Sequence, residues 1–107
     1  QTNIEIGPNI VGPGLKILHS QTGGVIINCL TMGSDCCVTA GVVIGNKDNQ
    51  ENRATIGNNV IITLGAKVIG KVTIGNNAII APNSVVIHDV PENGIVSGVP
   101  AKLIKIK

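Results

Sequence analysis

In the second half of this chain the apolar residues recur every six positions, a period that suits neither an α-helix nor a coiled coil. From Ile56 the units read Ile-Gly-Asn-Asn-Val-Ile, Ile-Thr-Leu-Gly-Ala-Lys, Val-Ile-Gly-Lys-Val-Thr, Ile-Gly-Asn-Asn-Ala-Ile, Ile-Ala-Pro-Asn-Ser-Val and Val-Ile-His-Asp-Val-Pro. Their first positions, Ile56, Ile62, Val68, Ile74, Ile80 and Val86, are all branched aliphatics. Their fifth positions, Val60, Ala66, Val72, Ala78, Ser84 and Val90, are all small. The third and fourth positions carry turn-compatible residues such as Gly, Asn, Pro and Lys. The same phase runs backwards through Ile26, Met32 and Val38 at first positions and Leu30, Cys36 and Val42 at fifth positions. A six-residue unit fits a very short strand and a tight turn, one flat face per unit. The first position points into a core, and the fifth faces inward where space is tighter.

Three units close a triangular coil of about 18 residues, the arithmetic of a stacked-repeat architecture. Thr55-Ile56-Gly57-Asn58-Asn59 returns one such coil later as Thr73-Ile74-Gly75-Asn76-Asn77. Stacked coils form a parallel sheet on each face, with hydrogen bonds running from coil to coil. The chain is therefore expected to be all-β, a single-stranded parallel β-helix. The period does not give its hand; ordinary parallel crossovers are right-handed. Composition agrees. The chain has 43% hydrophobic residues but no Phe, Tyr or Trp, so its core is built from Ile, Val, Leu and Ala. Slots of equal size in every layer suit such side chains, and Ile and Val favour strands.

The register breaks twice. Residues 46–55 (Asn-Lys-Asp-Asn-Gln-Glu-Asn-Arg-Ala-Thr) are polar and lack the pattern. They read as a loop extruded from one corner, where functional residues concentrate. The other break runs from Leu18 to Val25 and contains His19-Ser20-Gln21-Thr22-Gly23-Gly24. After Pro91 the repeat ends, and residues 92–107 are expected to cap the last coil with Leu103, Ile104 and Ile106 packed on it. All 107 residues form one domain, and the start on Gln1 rather than Met fits an N-terminal region preceding this one.

A net charge of +2 with 13% charged residues, and no aromatic platforms for base stacking, argues against nucleic acid as a partner. No apolar run reaches the roughly 20 residues of a membrane span. No secretory signal is visible, and the three cysteines, Cys29, Cys36 and Cys37, are odd in number. They read as small apolar fillers and surface thiols of a cytoplasmic protein rather than a disulfide framework. Their spacing is not that of a zinc site.

Four stretches carry a resemblance: Ile-Glu-Ile-Gly-Pro-Asn at 4–9, Ile-Leu-His-Ser-Gln-Thr-Gly-Gly-Val-Ile-Ile-Asn at 17–28, Val-Val-Ile-Gly-Asn with its polar loop at 42–46, and Ser-Gly-Val-Pro-Ala-Lys at 97–102. With the hexads, they resemble the hexapeptide-repeat acyltransferases over nearly the whole chain. The branch they resemble most contains the serine acetyltransferases and many capsular polysaccharide O-acetyltransferases. The resemblance implies a left-handed β-helix, acetyl-CoA as co-substrate, no metal, and a homotrimer with its site between adjacent subunits.

Acetyl transfer to an alcohol needs a base, and the chain has two histidines. His19 lies in a register break beside Gly23-Gly24 and falls where the resembled branch places its catalytic histidine. A loop histidine of no special role is the plain alternative. His88, followed by Asp89, reads as an exposed corner residue. The resemblance makes Glu5 the carboxylate that would orient His19, the place where serine acetyltransferases carry an Asp; a surface Glu on a fraying first coil is the alternative. Backbone N–H groups near Gly23, Gly24 or Gly45 are candidate oxyanion donors. By position, the resemblance implicates Gly45, Thr63, Gly65, Gly70 and Ala81 in holding the pantetheine arm, with Lys102 and Lys105 as cations for the CoA phosphates. Ordinary turn residues and a solvated basic tail are the alternatives. Cys29 lacks an activating partner in sequence, which disfavours it as a nucleophile.

Two positions depart from the serine acetyltransferase pattern, and both belong to the implied substrate site. Leu18 stands where those enzymes have an Asp that helps hold the amino acid. Arg53 stands where they have a second His that contacts the substrate carboxylate, a role a guanidinium also fills. Losing the Asp favours a saccharide hydroxyl as acceptor. Serine O-acetylation is the alternative within enzymes, and a non-catalytic trimeric β-helical scaffold is the alternative outside them. A three-histidine zinc site, as in carbonic-anhydrase-like relatives of the fold, would have to borrow histidines across subunits.

Overall fold

The tight turns expected every few residues are visible as backbone. In a computed structural model the described residues are 4–6, 10–18, 24–48 and 51–107, with the side chains of 4–6 and 10 outside the description. The first coil contributes β1 (Ile4–Ile6), β2 (Ile10–Val11) and β3 (Lys16–Leu18). The second contributes β4 (Val25–Ile27), β5 (Thr31–Met32) and β6 (Cys37–Thr39). The third contributes β7 (Val43–Gly45), β8 (Thr55–Ile56) and β9 (Ile61–Ile62), and the fourth β10 (Lys67–Ile69), β11 (Thr73–Ile74) and β12 (Ile79–Ile80). The last holds β13 (Val85–Val86), a bridge from Val90 to Ile74, β14 (Gly94–Ser97) and β15 (Lys102–Ile106).

Every third strand joins the same sheet. The first face is β1-β4-β7-β10-β13, the second β2-β5-β8-β11, and the third β3-β6-β9-β12-β14-β15. All pairings are parallel except β14 with β15. The chain is thus a single-stranded, left-handed parallel β-helix. The connecting corners carry left-handed backbone at Asp35, Asn59, Asn77 and Asn93 between the second and third faces. Asn and Asp tolerate that region better than other non-glycine residues. Asn side chains also tie this corner along the axis: Ser34 N–H donates to Asn58 Oδ1 at 2.9 Å, and Asn58 N–H to Asn76 Oδ1 at 2.8 Å. Gly57 lies against this ladder, where a Cβ would stand 2.4 Å from Asn76 Oδ1.

The hexad phase places the core from Ile56 onward. All six first positions and all six fifth positions from there to Val90 are buried. Ser84, the one polar member, is fully buried, and its Oγ accepts from Gly98 N–H at 3.1 Å. Upstream the phase slips. Ile26 is 40% exposed, whereas Val25, Ile27 and Cys29 are fully buried and Leu30 is only half-buried. The inward residues are therefore Ile27 and Cys29, not Ile26 and Leu30, because the corner after Ile27 is one residue short. A one-residue slip in a strand exchanges its two faces. Register partners record this and the two insertions. Ile4 pairs with Val25, Ile26 with Val43, Val43 with Lys67 and Lys67 with Val85, separations of 21, 17, 24 and 18 residues. The long separations contain the two expected breaks.

The C-terminal segment also differs from expectation. β14 continues the third face as a parallel strand before β15 folds back on it. Leu103, Ile104 and Ile106 are 50%, 61% and 51% exposed, so they lie over the sheet edge rather than sealing the last coil. A five-residue edge strand open on one side cannot bury both of its faces.

The slip makes a sharp expectation. Ile27→Ala should lower stability in equilibrium urea denaturation by about 2–5 kcal/mol, the cost of a core truncation. Ile26→Ala should cost well under half as much. The reverse order would restore the uninterrupted hexad phase.

Candidate functional site

The corners, not the faces, carry the irregular segments. Residues 46–54 link β7 to β8 at the corner between the first and second faces, hereafter the first corner. Residues 19–24 link β3 to β4 at the corner between the third and first faces, the third corner. His19 and Gly23 lie outside the described residues. Gly24 is described, and its carbonyl accepts from Gly41 N–H at 2.8 Å, stacking it on the turn of the next coil.

The third corner gathers several of the sequence candidates into one column. Leu18 ends β3, is 58% exposed and pairs in register with Thr39. In the coils that follow come Gly41, then Thr63 and Gly65, then Ala81. Gly65 N–H donates to Ala40 O at 2.9 Å. Thr63 Oγ donates to Ile80 O at 2.8 Å, and Ala81 N–H donates to Val96 O at 3.0 Å. Lys67, which the sequence did not single out, is bound into this column. Its ammonium donates to Gly41 O at 3.2 Å and to Gly65 O at 2.6 Å, so it bridges two coils. Among the described residues, Thr39 Oγ is buried without a hydrogen-bond partner. Lys102 opens β15 beside the last turn of the same corner, exposed and paired with Ser97. Lys105, also exposed, pairs with Ile95 on the third face.

Gly45 and Gly70 sit together at the first corner instead, with Gly70 N–H donating to Gly45 O at 3.0 Å. Gly70 has φ +91°, and a Cβ there would stand 3.3 Å from Lys47 Cβ. Beside them a groove of about 560 Å³ runs under the extruded loop. Ile69, Val72 and Ile87 supply its apolar wall, and Lys47, Lys71 and His88 its basic rim. His88 is exposed, as its turn position suggested, yet it lines this groove. Lysines at turn positions of unlike units gave no sequence signal for it.

Arg53 does not extend into solvent. One guanidinium nitrogen donates to Asn28 Oδ1 at 3.3 Å and to Cys29 O at 3.2 Å. Glu5 belongs to β1, where its backbone pairs with Ile26 of the next coil; its side chain lies outside the description. The sites implied in sequence thus fall on two corners bordering the first face. Strands of that face are three residues wide, about 10 Å at the usual rise, so within one chain the face separates the loop from the third-corner column.

Burial raises the Cys29 thiol to about 11, against the lowering influence of Arg53. Burial also raises Cys36. Neither thiol supplies much thiolate at neutral pH, which leaves Cys29 and Cys36 without support as nucleophiles. Among the described residues, no three His, Cys, Asp or Glu side chains gather to hold a metal. No helix of the described residues is long and apolar enough to cross a membrane.

No known family profile matches the chain. Individual proteins do. It is 38% identical over 106 residues to a serine acetyltransferase of Synechococcus elongatus, covering 96% of this chain and 43% of that protein. It superposes on the serine acetyltransferase of Neisseria gonorrhoeae with TM-score 0.85 and 32% identity, covering 96% of this chain and 41% of that one; that protein is also known in complex with serine. The coenzyme A complex of serine acetyltransferase from Brucella abortus strain S19 superposes with TM-score 0.78 and 29% identity, covering 92% of this chain and 40% of that one. The chain spans half or less of the length of these relatives.

The raised thiol has a measurable consequence. Iodoacetamide at pH 8 should leave Cys29 unmodified in the folded protein and label it after denaturation, as read by peptide mass spectrometry. The sign for stability follows from the same shift: a folded-state value above the ordinary 9.0 contributes stability that is intact below pH 9 and is lost as the pH rises towards about 11.

Proposed function

We propose that this chain is the β-helical part of an acetyl-CoA-dependent O-acetyltransferase of the serine acetyltransferase kind. The observation that carries the reading is the match to serine acetyltransferases along essentially the whole chain, in sequence and in fold. The coenzyme A complex of one such neighbour supports acetyl-CoA as the donor.

In this reading His19 takes the proton of the acceptor hydroxyl as its oxygen attacks the thioester carbonyl. The tetrahedral oxyanion is held by backbone N–H groups near Gly23, Gly24 or Gly45. Collapse expels the CoA thiolate, which recovers the proton from the imidazolium, so no acyl-enzyme forms. Glu5 holds the ring in the right tautomer and favours its charged form. The pantetheine arm lies against stacked turns, with Thr63, Gly65 and Ala81 on one corner and Gly45 and Gly70 on the other; Lys102 meets a phosphate. The raised Cys29 thiol and the absence of any activating partner in sequence support direct transfer.

L-Serine is the acceptor that the relatives support, including the neighbour bound to serine. Arg53 would then serve the substrate carboxylate. A saccharide hydroxyl, the acceptor suggested by sequence, keeps one observation in its favour: exposed Leu18 at the third corner has no charge to offer an ammonium group.

Assembly as a homotrimer is part of the proposal. The outward row Ile26-Val43-Lys67-Val85 on the first face and the row Cys37-Ile61-Ile79-Ile95 on the third are largely aliphatic. The second face presents the row Thr31-Thr55-Thr73 instead. Aliphatic faces suit contact with further copies. Such contact would bring the third corner of one subunit to the extruded loop of the next.

Release of free CoA thiol from acetyl-CoA tests the reading, with L-serine and a panel of saccharides as acceptors. His19→Ala should reduce turnover by about 10²–10⁴-fold. Turnover with a sugar but not serine would move the acceptor to the saccharide. Failure with every acceptor, without CoA binding by calorimetry, would leave a non-catalytic scaffold.

A further inference from the structure

The short corner and the long loop occupy the same edge of the helix in consecutive coils. The corner at 28–30 closes in one residue fewer than the hexad expects, and directly above it the chain leaves Gly45 for the loop and returns at Thr55. Asn28 stands at the junction. Its Nδ2 donates to Asn46 Oδ1 at 3.3 Å, on the outgoing stem. Its Oδ1 accepts from Arg53 at 3.3 Å, on the returning stem. The same guanidinium nitrogen donates to Cys29 O at 3.2 Å, and Leu30 N–H donates to Ala54 O at 2.8 Å. Lys47 N–H donates to Asn52 O at 3.0 Å and closes the loop base. One amide side chain therefore ties both ends of the insertion to the coil beneath. An amide does this with Asn46 as it stands, whereas a carboxylate would keep the acceptor for Arg53 and need Asn46 to turn its own amide and donate.

The other flank of the loop base is built differently. There Lys47, Asp48 and Asn52 line the open groove together with Gly70, Lys71 and His88. We infer that Asn28 is a positioning residue: it holds the extruded loop against the preceding coil, fixes Arg53, and so keeps the groove on the following coils open to a ligand. The interaction with Asn28 and Cys29 sets where the guanidinium stands before any substrate arrives. The catalytic consequence rests on the acetyl-transfer reading; the effect on the loop does not.

Lys47 and Arg53 make the loop its own reporter, since trypsin cleaves after each. In Asn28→Ala the bond between Arg53 and Ala54 should be cut about tenfold faster than in the parent, the opening expected when a partly buried side-chain link is lost. Asn28→Asp keeps the acceptor for Arg53, and Asn46 can turn its amide to donate to the same carboxylate. It should restore slow cleavage after Arg53. Circular dichroism and the melting temperature should change little in either variant. If Asn28→Ala does not fold, Asn46→Ala gives the outgoing-stem half of the test, with faster cleavage after Lys47 alone. In the thiol-release assay, Asn28→Ala should raise the acceptor KM about tenfold with a smaller change in kcat, and Asn28→Asp should recover most of it. Cleavage at the parent rate in a folded Asn28→Ala protein would overturn the inference. Fast cleavage in a protein that acetylates no acceptor would sustain the loop assignment and remove the proposed activity.

Discussion

The hydrogen bonds that join each coil to the next, and the like-on-like stacking they enforce, hold everything else in place. A strand of two or three residues has no stability of its own, and the strands from β1 to β13 pair only with strands of neighbouring coils. Ile56 therefore stacks beside Met32 and Ile74, Ile62 beside Val38 and Ile80, and Val68 beside Ile44 and Val86, each pair set by a parallel register. Each buried branched side chain contributes roughly 1.5–3 kcal/mol, but only when its neighbours along the axis occupy the same column. An aromatic ring would force its own layer apart from the layers above and below, which is a physical reason for their absence.

Such a body tolerates irregularity only at its corners. Inserting residues into a face would carry every later side chain to the wrong side, whereas a corner absorbs them without disturbing the columns. Both insertions obey this rule, and each lies where chemistry is proposed. The slip at Ile26 and Ile27 is the case that tests the rule. There the chain loses one residue at a corner, and the pattern of inward and outward residues shifts for that strand alone before recovering at Met32.

Polar links between coils hold both the third-corner column and the base of the extruded loop. Lys67 spans two carbonyls of one column, and Asn28 spans the two stems of the loop. These polar bridges do for the corners what aliphatic stacking does for the interior: they fix neighbouring coils against one another where no apolar side chain can reach.

The sequence by itself determined the period, the coil length, the inward columns from Ile56 to Val90 and the places of both insertions. All of these are local: a side chain of given size at a given step either fits the column or does not. The tertiary structure alone decided the slip at Ile27, the exposure of Leu103, Ile104 and Ile106, the grouping of Gly45 with Gly70 apart from Thr63, Gly65 and Ala81, and the partners of Arg53. Those depend on which residues lie one coil away, 17, 21 or 24 positions along the chain. A repeat read from its regular part cannot supply that distance where insertions and a deletion have changed it. Arg53 stands as a loop cation in the sequence. Only the structure shows that its guanidinium reaches Asn28 and Cys29 of the preceding coil.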